Sequence, residues 1–268
     1  MKKYSLSYWV KQRLHYGGSQ PEQHFQAALD LFVNDREHCP FEFAGSPIEL
    51  TNVMYQEWKK RGSVHWCFFP TPLPVARDLA ILLGVNSGDV VFDPGAGFGN
   101  LLHAAEERGA TAFGCEFQHW LPGVGKTLGL NVQRGDFLDG YQPAAFTCVL
   151  TNPPFGRLGE SADATADFLD RLADVCTDET RIAAILPRGF MQSERPKARV
   201  ETIKKFRVSH SEPLPAETFK PLTNCATEMV LLKLSGGKPV LTIAAPAVMR
   251  PAARLCVTAL NPEAWSEL

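Results

Sequence analysis

No run of apolar residues in this sequence approaches the roughly 18 that suggest a membrane span. The first residues, Met1-Lys2-Lys3-Tyr4, lead into polar and aromatic sequence instead of an apolar leader. A cytoplasmic protein without membrane contact is therefore expected. Paired cysteines are lacking as well: Cys39, Cys67, Cys115, Cys148, Cys176, Cys225 and Cys256 stand singly, without the CxxC spacing of structural zinc or redox sites. The expectation is reduced, mostly buried thiols and no metal. Charge of one sign is also missing, since 27 Lys and Arg face 29 Asp and Glu, for a net charge of −2. No global positive field draws in a polyanion, so any nucleic-acid contact must come from local basic clusters. Internal repeats and low-complexity tracts are absent.

What is present suits an ordinary globular protein: 268 residues, 45% hydrophobic and 21% charged, room for one principal domain with an appendage. Up to about Arg61 the texture is irregular and rich in aromatics and His, with one amphipathic helix from Pro21 to about Val33. Residues 1–63 are assigned to a mostly helical N-terminal appendage. From Trp66 the texture changes to alternating patterns. Val75–Leu83, Asn100–Arg108, Leu121–Leu128 and Ala164–Cys176 read as helices. Asp89–Phe92, Thr111–Cys115, Phe146–Leu150, Arg181–Leu186 and Met229–Leu234 read as strands. Such alternation predicts an α/β fold with a parallel, doubly wound sheet over residues 64–234, its ligands at the carboxyl ends of the strands. Residues 235–268 form a Pro- and Ala-containing tail.

Those strand ends carry the informative residues. Asp93-Pro94-Gly95-Ala96-Gly97-Phe98-Gly99 lies between a strand and a helix, where glycines let the backbone turn sharply and approach a ligand. The dinucleotide fingerprint GxGxxG would need a glycine at position 100, which is Asn100, so a nicotinamide cofactor is disfavoured. The next strand ends in Glu116, about 20 residues beyond the glycine turn, where a carboxylate can accept from both ribose hydroxyls. Gly135-Asp136-Phe137 offers an acceptor for an adenine amino group and a ring to lie against the base. Taken alone, either acid could equally be a solvated loop carboxylate; in this order after the turn, they indicate a nucleoside-bearing cofactor. Pro70-Thr71-Pro72 upstream is stiff enough to cover one side of a pocket, and equally serves as a helix start with Thr71 capping.

Thr151-Asn152-Pro153-Pro154-Phe155-Gly156 follows the apolar strand Phe146–Leu150 directly. Two consecutive prolines fix the backbone and lack amide hydrogens, which leaves the Pro153 carbonyl as a preorganised acceptor; the Asn152 side-chain oxygen is a second. Two acceptors on one amino group bind both its hydrogens and bias the nitrogen lone pair towards an incoming sulfonium methyl. Phe155 offers a flat face for an extruded base or another planar amide.

The series Pro70–Pro72, Asp93–Gly99, Glu116, Asp136-Phe137 and Asn152–Phe155 resembles the amino-methyltransferases of the gamma arrangement, represented by restriction-modification adenine methyltransferases. Arg181–Phe190, Leu214–Phe219 and Thr227–Leu232 extend the similarity, so that it covers about Phe69 to Leu234. The resemblance implies the Rossmann-like sheet of the class I S-adenosylmethionine-dependent methyltransferases. It also implies S-adenosylmethionine as cofactor. Pro70, Thr71, Pro72, Asp93, Gly95, Gly97 and Gly99 would hold the methionine portion, Glu116 the ribose, and Asp136 and Phe137 the adenine. Asn152, Pro153, Pro154 and Phe155 would form the catalytic loop. Asn at its first position points to adenine in DNA, with RNA adenine or a protein glutamine as alternatives and a catalytically silent subunit as a reading of another class.

Members that read a DNA site usually carry a sizeable recognition domain after the last strand, and here only Ser235–Leu268 follow. A short element, a specificity partner or the N-terminal appendage would then do the reading. Between Arg188 and Arg207 lie seven cationic residues against two carboxylates. Of these, Arg188, Arg195, Lys197, Arg199, Lys204 and Lys205 are the candidate phosphate contacts, DNA ahead of RNA, although a solvated helix face would look the same.

Overall fold

The computed structural model describes residues 3–17, 20–60, 68–156, 161–194, 197–220 and 222–236. Residues 237–268, nearly all of the tail, lie outside them, as does Arg195.

The N-terminal region holds α1 (Leu6–Val10), a π-helical turn (Lys11–His15), α2 (Pro21–Asn34) and α3 (Pro47–Lys59). The sequence reading leaves 47–59 in an irregular stretch, yet a local signal marks this helix. Ser46 and Glu49 form a reciprocal capping box, with Pro47 at the first helical position. Trp9, Phe25, Trp58 and Tyr55 from these helices bury against Phe98, Trp120, Leu121 and Val124 of the following domain in one cluster. Phe25 stacks on Phe98 with centroids 5.7 Å apart and meets Trp120 edge-on at 5.3 Å. The segment is thus packed into the core, where the sequence alone suggests an appendage.

Beyond it come α4 (Leu73–Leu83), β1 (Val90–Asp93), α5 (Asn100–Glu106), β2 (Thr111–Glu116), α6 (Leu121–Thr127) and β3 (Val132–Arg134). They are followed by β4 (Cys148–Thr151), α7 (Ala164–Val175), β5 (Arg181–Pro187), α8 (Lys197–Lys204), β6 (Phe206–Pro213) and β7 (Thr227–Leu234). The seven strands pair in the order β3-β2-β1-β4-β5-β7-β6. β1 to β5 are parallel, as expected, but β7 runs antiparallel to both β5 and β6, so the sheet is mixed. Between their polar ends the central strands are apolar, because both faces are covered. Val91, Leu150, Ala183 and Ile185 pack beneath α4 and α5, whereas Phe92, Val149, Ile182 and Ala184 pack beneath α7.

Strand order reverses between β1 and β4, and at such a switch point the loops leaving the carboxyl ends diverge to opposite faces and open a crevice. The register sets Asp93 beside Gly114 and Leu150 beside Ala183. Asp93, Glu116 and Asn152 therefore all emerge at the same edge of the sheet. A salt bridge fixes the opposite edge, where Arg181 at the start of β5 meets Asp89 ahead of β1 and donates to the carbonyls of Leu83 and Gly84 at 3.1 and 3.2 Å. Burial alone would raise the Asp89 carboxyl; Arg181, the Asn86 amide and Thr147 together hold it down at about 2.

Candidate active site

A cavity of about 430 Å³ opens at the switch point, within the size range of small-molecule sites. Its floor is the glycine turn. Asp93 is buried and accepts from the Gly95 amide at 3.1 Å. Burial, reinforced by the neighbouring Glu116 carboxylate, pushes the Asp93 carboxyl up to about 8. The turn is pinned to β2 by Ala96 N–H donating to the Cys115 carbonyl at 3.0 Å. Gly114 is required there, since a Cβ on it would stand 2.6 Å from the Asp93 carbonyl oxygen. Gly97 adopts a left-handed φ of 53°, and a Cβ on it would strike the Phe68 ring.

Glu116 is the second buried acid. One carboxylate oxygen accepts from Gly97 N–H at 2.8 Å and the other from Gln118 N–H at 2.7 Å. Desolvation still raises its pKa. Each oxygen keeps a lone pair beyond these bonds. Asp136 is half-buried on the lining and accepts from Leu138 N–H at 2.9 Å.

Asn152 supplies the clearest geometry. Its side-chain nitrogen donates to the Phe69 carbonyl and to Thr71 Oγ1, both at 3.1 Å. A carbonyl can only accept, so the amide orientation is chemically determined and both amide hydrogens are used. Asn152 Oδ1 is buried and has no hydrogen-bond partner among the described residues. Thr71 is not the helix cap suggested by the sequence; Pro72 occupies that position without a side-chain cap, and the Thr71 hydroxyl accepts from Asn152 at the start of the Pro153-Pro154 loop instead. The loop is anchored from the other side, where Thr165 Oγ1 in the first turn of α7 donates to the Pro154 carbonyl at 2.8 Å.

Of the residues singled out from sequence, Pro70, Thr71, Asp93, Gly95, Glu116, Asp136, Phe137, Asn152, Pro153 and Pro154 line this one cavity. Pro72, Gly97, Gly99 and Phe155 do not. Gly97 acts through its amide on Glu116, and Gly99 precedes α5 in a left-handed turn. Phe155 is half-buried and stacks on Phe69, centroids 6.4 Å apart and planes within 17°. Phe137 is only 2% exposed, its ring packed on Phe92 and Phe168, and forms wall more than contact surface. Sequence reasoning missed Phe117, 66% exposed, and Leu138, 38% exposed, which offer the free apolar faces on this side. The available signal was an apolar residue close behind each acid, Phe117 directly after Glu116 and Leu138 two residues after Asp136.

No family model and no curated protein matches the sequence. Solved structures do match. A candidate class I S-adenosylmethionine-dependent methyltransferase of Listeria monocytogenes superposes with a TM-score of 0.64 at 14% identity, over 90% of this chain and 89% of its own. The fold is that of the class I methyltransferases. A candidate type I restriction enzyme modification subunit of Vibrio vulnificus aligns with a TM-score of 0.58 at 19% identity, over 74% of this chain and 51% of its own. The methyltransferase subunit of a Streptococcus thermophilus type I restriction-modification system gives 0.51 at 18%, over 88% and 68%. The present chain therefore spans about half the length of the Vibrio subunit.

Three cations of the basic stretch are paired within the chain. Arg199 donates to the buried Asp163 carboxylate at 2.6 Å and lies over the Phe190 ring; Lys204 pairs with Glu201 at 2.8 Å and Lys205 with Asp170 at 2.9 Å. Arg188 and Lys197 are exposed, and Lys197 lies close enough to Glu201 to help hold its carboxyl below the usual range. Among the described residues there is also no cluster of three metal-ligating side chains and no helix long and apolar enough to cross a membrane.

Proposed function

We propose that this chain is an S-adenosylmethionine-dependent N-methyltransferase whose acceptor is the exocyclic amino group of adenine in DNA. The carrying observation is Asn152: an amide locked by two donated bonds, with its oxygen buried and lacking a donor. That oxygen suits a planar amine, and the Pro153 carbonyl on the same lining suits the amine's second hydrogen. The donor half fits the cofactor, with the Glu116 lone pairs for ribose hydroxyls and Phe117 and Leu138 for the two faces of adenine. Bound there, the cofactor supplies a methyl group on a sulfonium centre.

Asn152 and Pro153 would hold the amino nitrogen in line and favour its pyramidal form, while the rigid Pro-Pro backbone removes any need to reorganise as charge develops. Among the described residues no ionisable side chain lines the acceptor half, and no general base is assigned there. Phe155 would turn from Phe69 towards the base on binding. Solved neighbours described as modification subunits of type I restriction enzymes support DNA as the substrate. Sequence reading falls to the N-terminal helices, to residues 235–268 or to a separate specificity protein, with Arg188, Arg195 and Lys197 as phosphate contacts.

The test is transfer of labelled methyl to duplex DNA with identification of the modified base. Methylated adenine is expected, and Asn152→Ala should lower turnover roughly 100- to 1,000-fold, as for loss of one preorganised polar contact. Its affinity for S-adenosylhomocysteine should be unchanged. Label found solely on RNA or on protein glutamine would replace the substrate, and cofactor binding without transfer to any acceptor would establish a silent subunit.

A further inference from the structure

Asn100 is 3% exposed, lines the cavity, and repeats the geometry of Asn152. Its side-chain nitrogen donates to Asn52 Oδ1 on α3 at 3.0 Å and to the Thr71 carbonyl. Both amide hydrogens are thereby used, and the orientation is fixed because the Thr71 carbonyl can only accept. Asn52 is held in turn by donating to the Ile48 carbonyl at 3.1 Å. Asn100 Oδ1 is buried and without a partner among the described residues, a costly state for an acceptor that solvent does not reach.

On the reading of the pocket proposed above, we infer that Asn100 receives the α-ammonium of the cofactor's aminoacyl tail and that Asn52 positions it from the N-terminal region. An acceptor calls for a donor, and such a cofactor brings four: the adenine amino group, two ribose hydroxyls and the ammonium. Asp136 and Glu116, on the loops after β3 and β2, suit the first three. Thr71 locates the fourth, because its hydroxyl holds Asn152 while its carbonyl holds Asn100. The two amides with orphan oxygens thus share one support, Thr71. The aminoacyl tail is bonded to the same sulfur as the transferable methyl, so it must lie next to the acceptor end, where Asn100 is. A neutral amide there grips the ammonium without adding a third carboxylate to Asp93 and Glu116.

Calorimetric titration of the full-length protein with three ligands tests this: S-adenosylhomocysteine, its analogue lacking only the amine, and methylthioadenosine, which lacks the whole tail. For Asn100→Ala, binding of S-adenosylhomocysteine should weaken roughly 10- to 100-fold, the range of a charge-assisted hydrogen bond, with the other two ligands unchanged. Asn52→Ala should produce a smaller loss with the same selectivity, and serves if Asn100→Ala does not fold. Equal losses for all three ligands would make Asn100 a structural support and overturn the inference, as would full retention of S-adenosylhomocysteine affinity. Wild-type protein that binds none of the three would sink the reading of the pocket itself.

Discussion

Asp93 is the residue whose ordinary chemistry is most altered by its surroundings. An unfolded chain ionises it near the usual 3.8, whereas the folded protein keeps the proton until about pH 8 because burial penalises the anion. Folding thus binds an extra proton between those limits, and the associated stability, complete below pH 3.8, is lost as pH rises through 8. Asp93→Asn removes the titration and can still accept the Gly95 amide. Its melting temperature should decline less than that of the wild type between pH 5 and 8, a comparison made by thermal scans of ligand-free protein; parallel curves would refute it. Asp93, Glu116 and Asn152 were legible in sequence because each stands at or directly after the end of a strand, and strand ends of a parallel sheet converge by topology. Asn100 and Asn52 were not, since their pairing joins residues 48 positions apart and no local pattern reports it.

Among the elements, α8 shows how far a charge count can diverge from a surface. Its cations looked like a phosphate-binding stripe, yet Arg199 spends its guanidinium on Asp163, the acid that caps α7 by accepting from Ala166 N–H at 3.3 Å. Arg199→Ala leaves a nearly buried carboxylate without its cation and should cost about 1–3 kcal/mol. A fall of about 2–4 °C in melting temperature per kcal/mol is expected. If the chain binds DNA as proposed, the salt dependence of that binding should stay as in the wild type, whereas loss of a true phosphate contact would lower the slope by about one. Strand β6 escaped the sequence reading for a related reason. Apart from Phe206 its residues are exposed and mostly polar, so it carries no alternation; it is a strand because β7 supplies the ladder. The central strands were legible because burial on both faces demands continuous apolar runs, visible without any partner.

At the level of the whole molecule, the N-terminal helices and the sheet domain share one aromatic cluster, and the polar contact of Gln26 with Thr127 at 2.6 Å crosses the same boundary. A single cooperative unfolding transition is therefore expected in calorimetry. Deleting residues 1–60 would bare Phe98, Trp120, Leu121 and Val124, and the remainder should aggregate or lose its cooperative transition. Two separate transitions, or a soluble and cooperatively folding truncated chain, would contradict this. Composition could suggest only an appendage here, because the partners of Phe25 and Trp58 lie dozens of residues downstream.

The orientation of Asn152 is set by a hydroxyl and a backbone carbonyl, neither of which titrates under biological conditions. On the proposed function, the hold of Asn152 on an acceptor amine thus has no acid–base handle of its own, whereas Asp93 and Glu116, the buried acids of the cavity whose protonation burial favours, stand on the donor flank, where a change of pH would loosen the donor and leave the acceptor held.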